Sequence, residues 1–192
     1  MLKLTDIRKK LNFNKNIGLS VFSIADAIKH PEDYRIDFDV YLPTIGKNLQ
    51  RPFVWTLLQK QELIMSMLKG LNIPVLSLIQ YTEVENGHDR RRDRVYQVID
   101  GKQRLSTMIS FVKGEFPITF NGQDYYFSDL DDKAKYEVEH YWVKADVAYS
   151  YKYTDGDESA FITDQQKIDW FEMINFAGTP QDTEHLNNLK SK

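Results

Sequence analysis

The sequence predicts an α+β fold, a mixed sheet with flanking helices, from three observations. Segments alternating at period two and segments with helical spacing are both plentiful. They follow one another without regular strand–helix–strand alternation, and two pairs of neighbouring strands read as hairpins.

The elements follow in order. Ser23 and Asp26 mark a helix start, with Ile24, Ala27 and Ile28 on one side and Pro31 closing the segment. "YRIDFDVYLP" alternates Ile36, Phe38, Val40 and Leu42 against Arg35, Asp37, Asp39 and Tyr41, the pattern of one half-buried strand. A loop leads to a helix from Thr56 to Lys69, with Leu57, Ile64, Leu68 and Leu71 as its apolar stripe and Gly70 as its stop. "PVLSLIQYT" and "RVYQVID" pair as a hairpin through the charged loop "EVENGHDRRRD". A helix from Gly101 to Lys113 carries Leu105, Met108, Ile109 and Val112 inward. "PITFNGQDYYF" is a second hairpin, because Asn-Gly suits a type I′ turn. "DLDDKAKYEVEHY" reads as helix and "WVKADVAYSY" as strand. Thr163 or Asp164 caps the helix "QQKIDWFEMINF", which Gly178 ends, and "TPQDTEHLNNL" starts another with Thr179 as cap and Pro180 in its first turn.

Composition excludes several classes. At 192 residues the chain is most simply one domain spanning 1–192, large enough for a substantial core. With 42% hydrophobic and 28% charged residues, disorder is not the default. The absence of cysteine rules out disulfides and thiolate metal sites, and suits a cytoplasmic protein. No apolar run approaches the roughly 20 residues that span a bilayer, so no membrane partner is expected. A net charge of −3 gives no global attraction for nucleic acid, so any DNA contact must be local. His30, His88, His140 and His185 lack metal-ligand spacing. Neither a G-x-x-x-x-G-K-[ST] loop nor a G-x-S-x-G elbow is present.

Four clusters remain. In "VYQVIDGKQRLSTM", Asp100 and Gln103 stand in a D-x-x-Q spacing that nearly reproduces a capping box. The same turn also suits an anion. Helix N-terminal amides attract it, Gly101 lets it approach the backbone, and Arg104 can fork onto phosphate oxygens. Asp100 fits there if it holds Mg²⁺ or orients an arginine. In "LQRPFVW", Gln50 and Arg51 precede a helix beside Phe53 and Trp55. They form either a staple and a surface charge, or a second phosphate ligand with a stacking surface. In "FEMIN", Phe171 and Asn175 share a helix face, with Asn175 a C-terminal cap or a ligand group. Arg90, Arg91, Arg92 and Arg94 make a basic hairpin tip, either solvated or touching DNA.

In this order, "QRPFVW", "DGKQRLST" and "FEMIN" resemble the N-terminal domain family of GmrSD-type modification-dependent restriction systems. That family is typified by Q-R-x-x-x-W, then D-G-Q-Q-R-L-T-T, then F-x-x-x-N. The resemblance runs from about Val21 to Leu189. It implies a ParB/sulfiredoxin-like fold with a G-x-x-R phosphate signature, here Gly101 to Arg104. It further implies a nucleoside triphosphate site, with suspected Mg²⁺ and hydrolysis that accompanies DNA cleavage in the restriction systems. Residue by residue, Gln50, Arg51 and Trp55 fall on the first motif. Asp100, Gly101, Gln103, Arg104 and Thr107 fall on the second, and Phe171 and Asn175 on the third. Lys102 replaces the usual first glutamine and Ser106 the first threonine.

The expected roles are catalytic for Asp100, Gln103 and Arg104, with Asp100 as the Mg²⁺ ligand. Gln50, Arg51, Trp55, Gly101, Lys102, Ser106, Thr107 and Asn175 are expected to bind nucleotide. No nuclease half is recognisable, so the chain is expected to act with a separate nuclease subunit and not to cut DNA alone; an oligomer remains open. The rival expectation is a non-hydrolysing DNA- or protein-binding module, including a phage or mobile-element mimic of a restriction subunit.

Overall fold

The computed structural model describes residues 15–31, 35–85, 88–89, 95–153 and 161–176. The basic tip Arg90, Arg91, Arg92 and Arg94 and the segment "TPQDTEHLNNL" lie outside them.

The chain runs β1 (Lys15–Ser23), α1 (Ile24–Lys29), β2 (Arg35–Asp37), β3 (Tyr41–Leu42), β4 (Lys47–Asn48), α2 (Leu57–Leu68), β5 (Leu76–Glu85), β6 (His88–Asp89), β7 (Val95–Asp100) and α3 (Lys102–Val112). It continues through the hairpin β8 (Ile118–Phe120) and β9 (Gln123–Tyr125), a 3₁₀ turn Phe127–Asp129, α4 (Asp132–Glu139), β10 (Trp142–Tyr153) and α5 (Asp164–Phe176). Six strands form one mixed sheet in the order β1-β10-β5-β7-β2, with β6 on β5. The β1/β10 and β5/β7 pairs are antiparallel, and β10/β5 and β7/β2 are parallel. This is an α+β fold with helices on both faces of its sheet.

Strand alternation builds two cores. Leu76, Leu78, Tyr96, Val98, Val143, Ala145 and Val147 face one side and pack with Ala27 of α1, Ile64 and Met67 of α2, Leu105, Met108 and Phe111 of α3 and Val138 of α4. Ile79, Ile99 and Ala148 face the other, with Ile168, Trp170 and Phe171 of α5. Central strands covered on both faces need apolar residues at successive positions, which explains the runs "VLSLI" and "VI".

Three expectations need correction. "YRIDFDVYLP" is not one strand. Asp37 Oδ1 accepts from the amides of Asp39 and Val40, at 3.1 and 2.9 Å, and Val40 takes a positive φ of 50°. The left-handed conformation costs about 1–2 kcal/mol. Val40 is fully buried, and burying a valine contributes about 1.5–3 kcal/mol, enough to offset that cost. The break carries the chain around the edge of the sheet, so Ile36 and Phe38 join the first core while Val40 and Leu42 join the second. The inward stripe of α2 is Leu63, Ile64 and Met67, and Leu57 and Leu71 are exposed. In α3, Phe111 is fully buried while Ile109 and Val112 are only partly so. β1 was not anticipated. The second hairpin follows its Asn-Gly signal, with φ of 51° at Asn121 and 77° at Gly122.

Candidate functional site

The site begins where β7 loses its neighbours. β2 pairs β7 only from Val95 to Gln97, so the outer edge beyond is open. On the inner edge the register against β5 shifts between Leu78↔Val98 and Ser77↔Asp100, leaving Ile99 as a bulge. Gln50 fills the gap, its Nε2 donating to the carbonyls of Val98 and Ile99 at 2.8 and 2.6 Å. The amides of Leu49 and Gln50 are held by Val40 and Asp39 in turn. The Gln50 side chain thus satisfies carbonyls at the edge that β2 stops short of reaching.

Gly101 then turns the chain with φ 101°, and a Cβ there would run into the Leu76 side chain. Only glycine meets both demands. Helix α3 opens on this residue without a side-chain cap, so the expected capping box is not made. Asp100 and Gln103 are engaged elsewhere. Gln103 Oε1 accepts from the amides of Val54 and Trp55, at 2.9 and 3.2 Å, and its Nε2 donates to Pro52 O at 3.2 Å. It clamps a stretch of irregular backbone whose polar groups would otherwise lack partners. Asp100 Oδ2 accepts from Arg104 Nη2 at 2.6 Å. Arg104 Nη1 donates to Pro74 O at 2.5 Å and more weakly to Val75 O, so its guanidinium braces the approach to β5. Of the two roles open to Asp100, orienting an arginine is the one observed.

Among the described residues, the first-turn amides of Lys102, Gln103 and Arg104 donate to no acceptor. A polar pocket of about 110 Å³ lies over this turn. Gln50, Arg51, Trp55, Phe171 and Asn175 complete its wall with residues 100–104. Lys102 Nζ pairs with Asp39 Oδ1 at 2.5 Å, and Asp39 is 62% exposed at the rim. Arg51 makes no hydrogen bond or ion pair among the described residues. Three cations thus face one lining carboxylate. Asn175 Nδ2 donates to Phe171 O at 2.7 Å, the capping reading, while the residue also lines the pocket.

The three motifs therefore converge, although more than 120 residues separate Gln50 from Asn175. Ser106 and Thr107 are not in the pocket wall. Thr107 is fully buried with its hydroxyl unpartnered among the described residues, on the core side of α3. Asp39 is the residue that motif reading missed. Its only local signal was its place in the polar phase of an alternating strand, and its partner is 63 positions away.

No group of three or more His, Asp or Glu residues that could hold a metal occurs among the described residues. Mg²⁺ carried by phosphates needs only one or two protein carboxylates. Asp100 fits that need, since only its Oδ2 is taken by Arg104. No described helix is long and apolar enough to cross a membrane.

Fold and pocket define an α+β domain whose mixed sheet delivers a strand into an uncapped, cation-lined helix start. A family model described as the N-terminal domain of GmrSD restriction endonuclease matches residues 32–190. The chain belongs to that family. Comparison with curated proteins and with solved structures gave no significant match.

Proposed function

We propose that this restriction-system domain binds a nucleoside triphosphate by its phosphate end in the pocket over α3. The observation that carries the reading is one juxtaposition: three unpartnered amides at a helix start and the unpartnered guanidinium of Arg51 border the same small pocket. Amides and dipole favour an anion there, and guanidinium matches phosphate geometry. A volume near 110 Å³ is below the roughly 300 Å³ at which whole small-molecule sites begin, so the pocket suits phosphates and not a base.

The roles divide accordingly. Arg51 contacts phosphate directly, and Lys102 adds charge from its pair with Asp39. Gln50, Gln103 and the Asp100–Arg104 pair hold the shape. Mg²⁺, when bound, would neutralise phosphate charge, and Asp100 would hold it. Nucleotide occupancy then controls DNA engagement or a separate nuclease subunit.

A second reading, binding without hydrolysis, has its own support. The side-chain amide of Gln103 and the guanidinium of Arg104 are both engaged in bracing, and among the described residues no further carboxylate lines the pocket to activate water. Calorimetric titration with each of the four nucleoside triphosphates and Mg²⁺ tests the first reading. Binding is expected, and Arg51→Ala should weaken it about tenfold to a hundredfold while the protein stays folded. Absence of binding to all of them would sink it. Phosphate release separates the two readings, being present in the first and absent in the second.

A further inference from the structure

The face of the sheet covered by α5 holds another cavity, of about 380 Å³, within the range of small-molecule sites. Tyr41, Tyr81 and Phe161 supply aromatic walls, and Gln97, Asp164 and Lys167 supply the polar ones. Tyr81 and Phe161 meet edge to face, with centroids 6.1 Å apart. Tyr41 is 56% exposed.

The polar groups are unevenly satisfied. Asp164 Oδ2 accepts from Thr44 N and Oγ1, at 3.0 and 2.8 Å. Its Oδ1 lies 3.6 Å from Lys167 Nζ, too far for a hydrogen bond. Lys167 is 6% exposed, and its ammonium is held by this one long ion pair with Asp164. Burial pushes its pKa down, against the pull of Asp164 and Asp37. Gln97 donates through Nε2 to Asp37 at 3.4 Å, while its buried Oε1 has no donor among the described residues. A buried carbonyl without a partner is costly, and it borders the same space as an ammonium held only by one long ion pair among the described residues.

We propose that this cavity is a second ligand site, for a neutral, flat heteroaromatic ring carrying a carbonyl beside an N–H, the chemistry of a nucleobase. The ring stacks against the tyrosines, its carbonyl accepts from Lys167, and its N–H donates to Gln97 Oε1 or Asp164 Oδ1. A net charge is disfavoured in either sense. An anion meets Asp164 and Asp37, and a cation meets Lys167. The base can arrive on a free nucleoside or on a nucleic acid strand, because the chemistry recognised is the same. Gln97 is separated from Asp100 along β7 by the fully buried Val98 and Ile99, which makes this site distinct from the pocket over α3. The inference does not rest on triphosphate binding there.

The test titrates phosphate-free uridine, cytidine, adenosine and guanosine into wild type, Tyr41→Ala and Lys167→Met. Binding is read by NMR shifts and folding by circular dichroism. At least one nucleoside should bind, and Tyr41→Ala, at an exposed position, should weaken it about fivefold or more. Lys167→Met should weaken it similarly. A single-stranded oligonucleotide of the same base forms the second arm. Oligonucleotide binding that is sensitive to Tyr41→Ala supports the site and names the strand as its source, whereas binding of nucleoside alone supports it and names the free form. Failure of all the nucleosides, or unchanged affinity in folded Tyr41→Ala, overturns the proposal. Inorganic tripolyphosphate, titrated into wild type and Arg51→Ala, reports the other pocket separately. Displacement of a bound nucleoside by tripolyphosphate would also overturn it.

Discussion

Helices α2 and α3 begin in opposite ways. Thr56 closes α2 with a reciprocal box, its Oγ1 accepting from Gln59 N and Gln59 Oε1 accepting from Thr56 N. Asp131 caps α4, and Thr163 with Gln166 repeats the box on α5. Helix α3 starts on a left-handed glycine with no cap, although a D-x-x-Q spacing lies beside it. The contrast teaches that cap-forming residues do not make a cap when tertiary partners claim them. Gln103 is taken by the loop of residues 52–55 and Asp100 by Arg104. The amides left over are those that the pocket borders.

The contrast can be broken first at its glycine. Gly101→Ala should cost about 3 kcal/mol or more, since it adds backbone strain to a clash with Leu76. Gly70→Ala, also at positive φ but in open space, should cost only about 1–2 kcal/mol. Equal losses in urea denaturation would mean that Leu76 yields freely. Next in size is the loss of triphosphate affinity in Arg51→Ala, which should leave stability within about 0.5 kcal/mol because no described partner is lost. Thr56→Ala should show the reverse, a loss of about 1 kcal/mol in stability with triphosphate affinity unchanged. A fall in affinity there would show that the capped start also takes part in binding.

The smallest effect lies outside the two helices. The pKa of Lys167 is lowered by burial, with Asp164 and Asp37 opposing. Between that lowered value and the ordinary lysine value, the unfolded chain binds more protons than the folded one. In that window this group makes stability rise with pH. Melting temperatures of Lys167→Met should lack that alkaline rise, and an unchanged slope would assign it to other groups.

Much of the fold was legible because burial imposes periodicity. The β5/β7 hairpin, the bounds of α2 and α3, the Asn121–Gly122 turn and the cap at Thr163 all follow local chemistry. β1 carries alternation at Ile17, Leu19 and Val21, but a register shift between Asn16 and Ser20 interrupts its pairing. The apparent strand "YRIDFDVYLP" misled for a related reason. Its apolar residues do alternate, yet the turn at Asp37 sends them to two different cores. At the site, local reading found the lining residues at Gln50, Arg51, Trp55, 100–104, Phe171 and Asn175. It could not find their partners. Pro74 lies 30 positions from Arg104, and Pro52 lies 51 from Gln103. No pattern within a window of one turn carries such distances.

The turn at Asp37 to Val40 has a consequence for how this chain tolerates change in length. Surface loops commonly accept insertions at small cost. Here the three positions after Asp37 hand the polypeptide from one core to the other, and Asp39 within them holds Lys102 at the rim of the pocket. Adding or removing one residue would turn Val40 and Leu42 away from the second core and move Asp39 off its lysine in the same stroke. Among relatives of this chain, that segment should therefore keep its length even where its residues vary, while the hairpin tip at Asn121–Gly122, open on all sides, is free to grow.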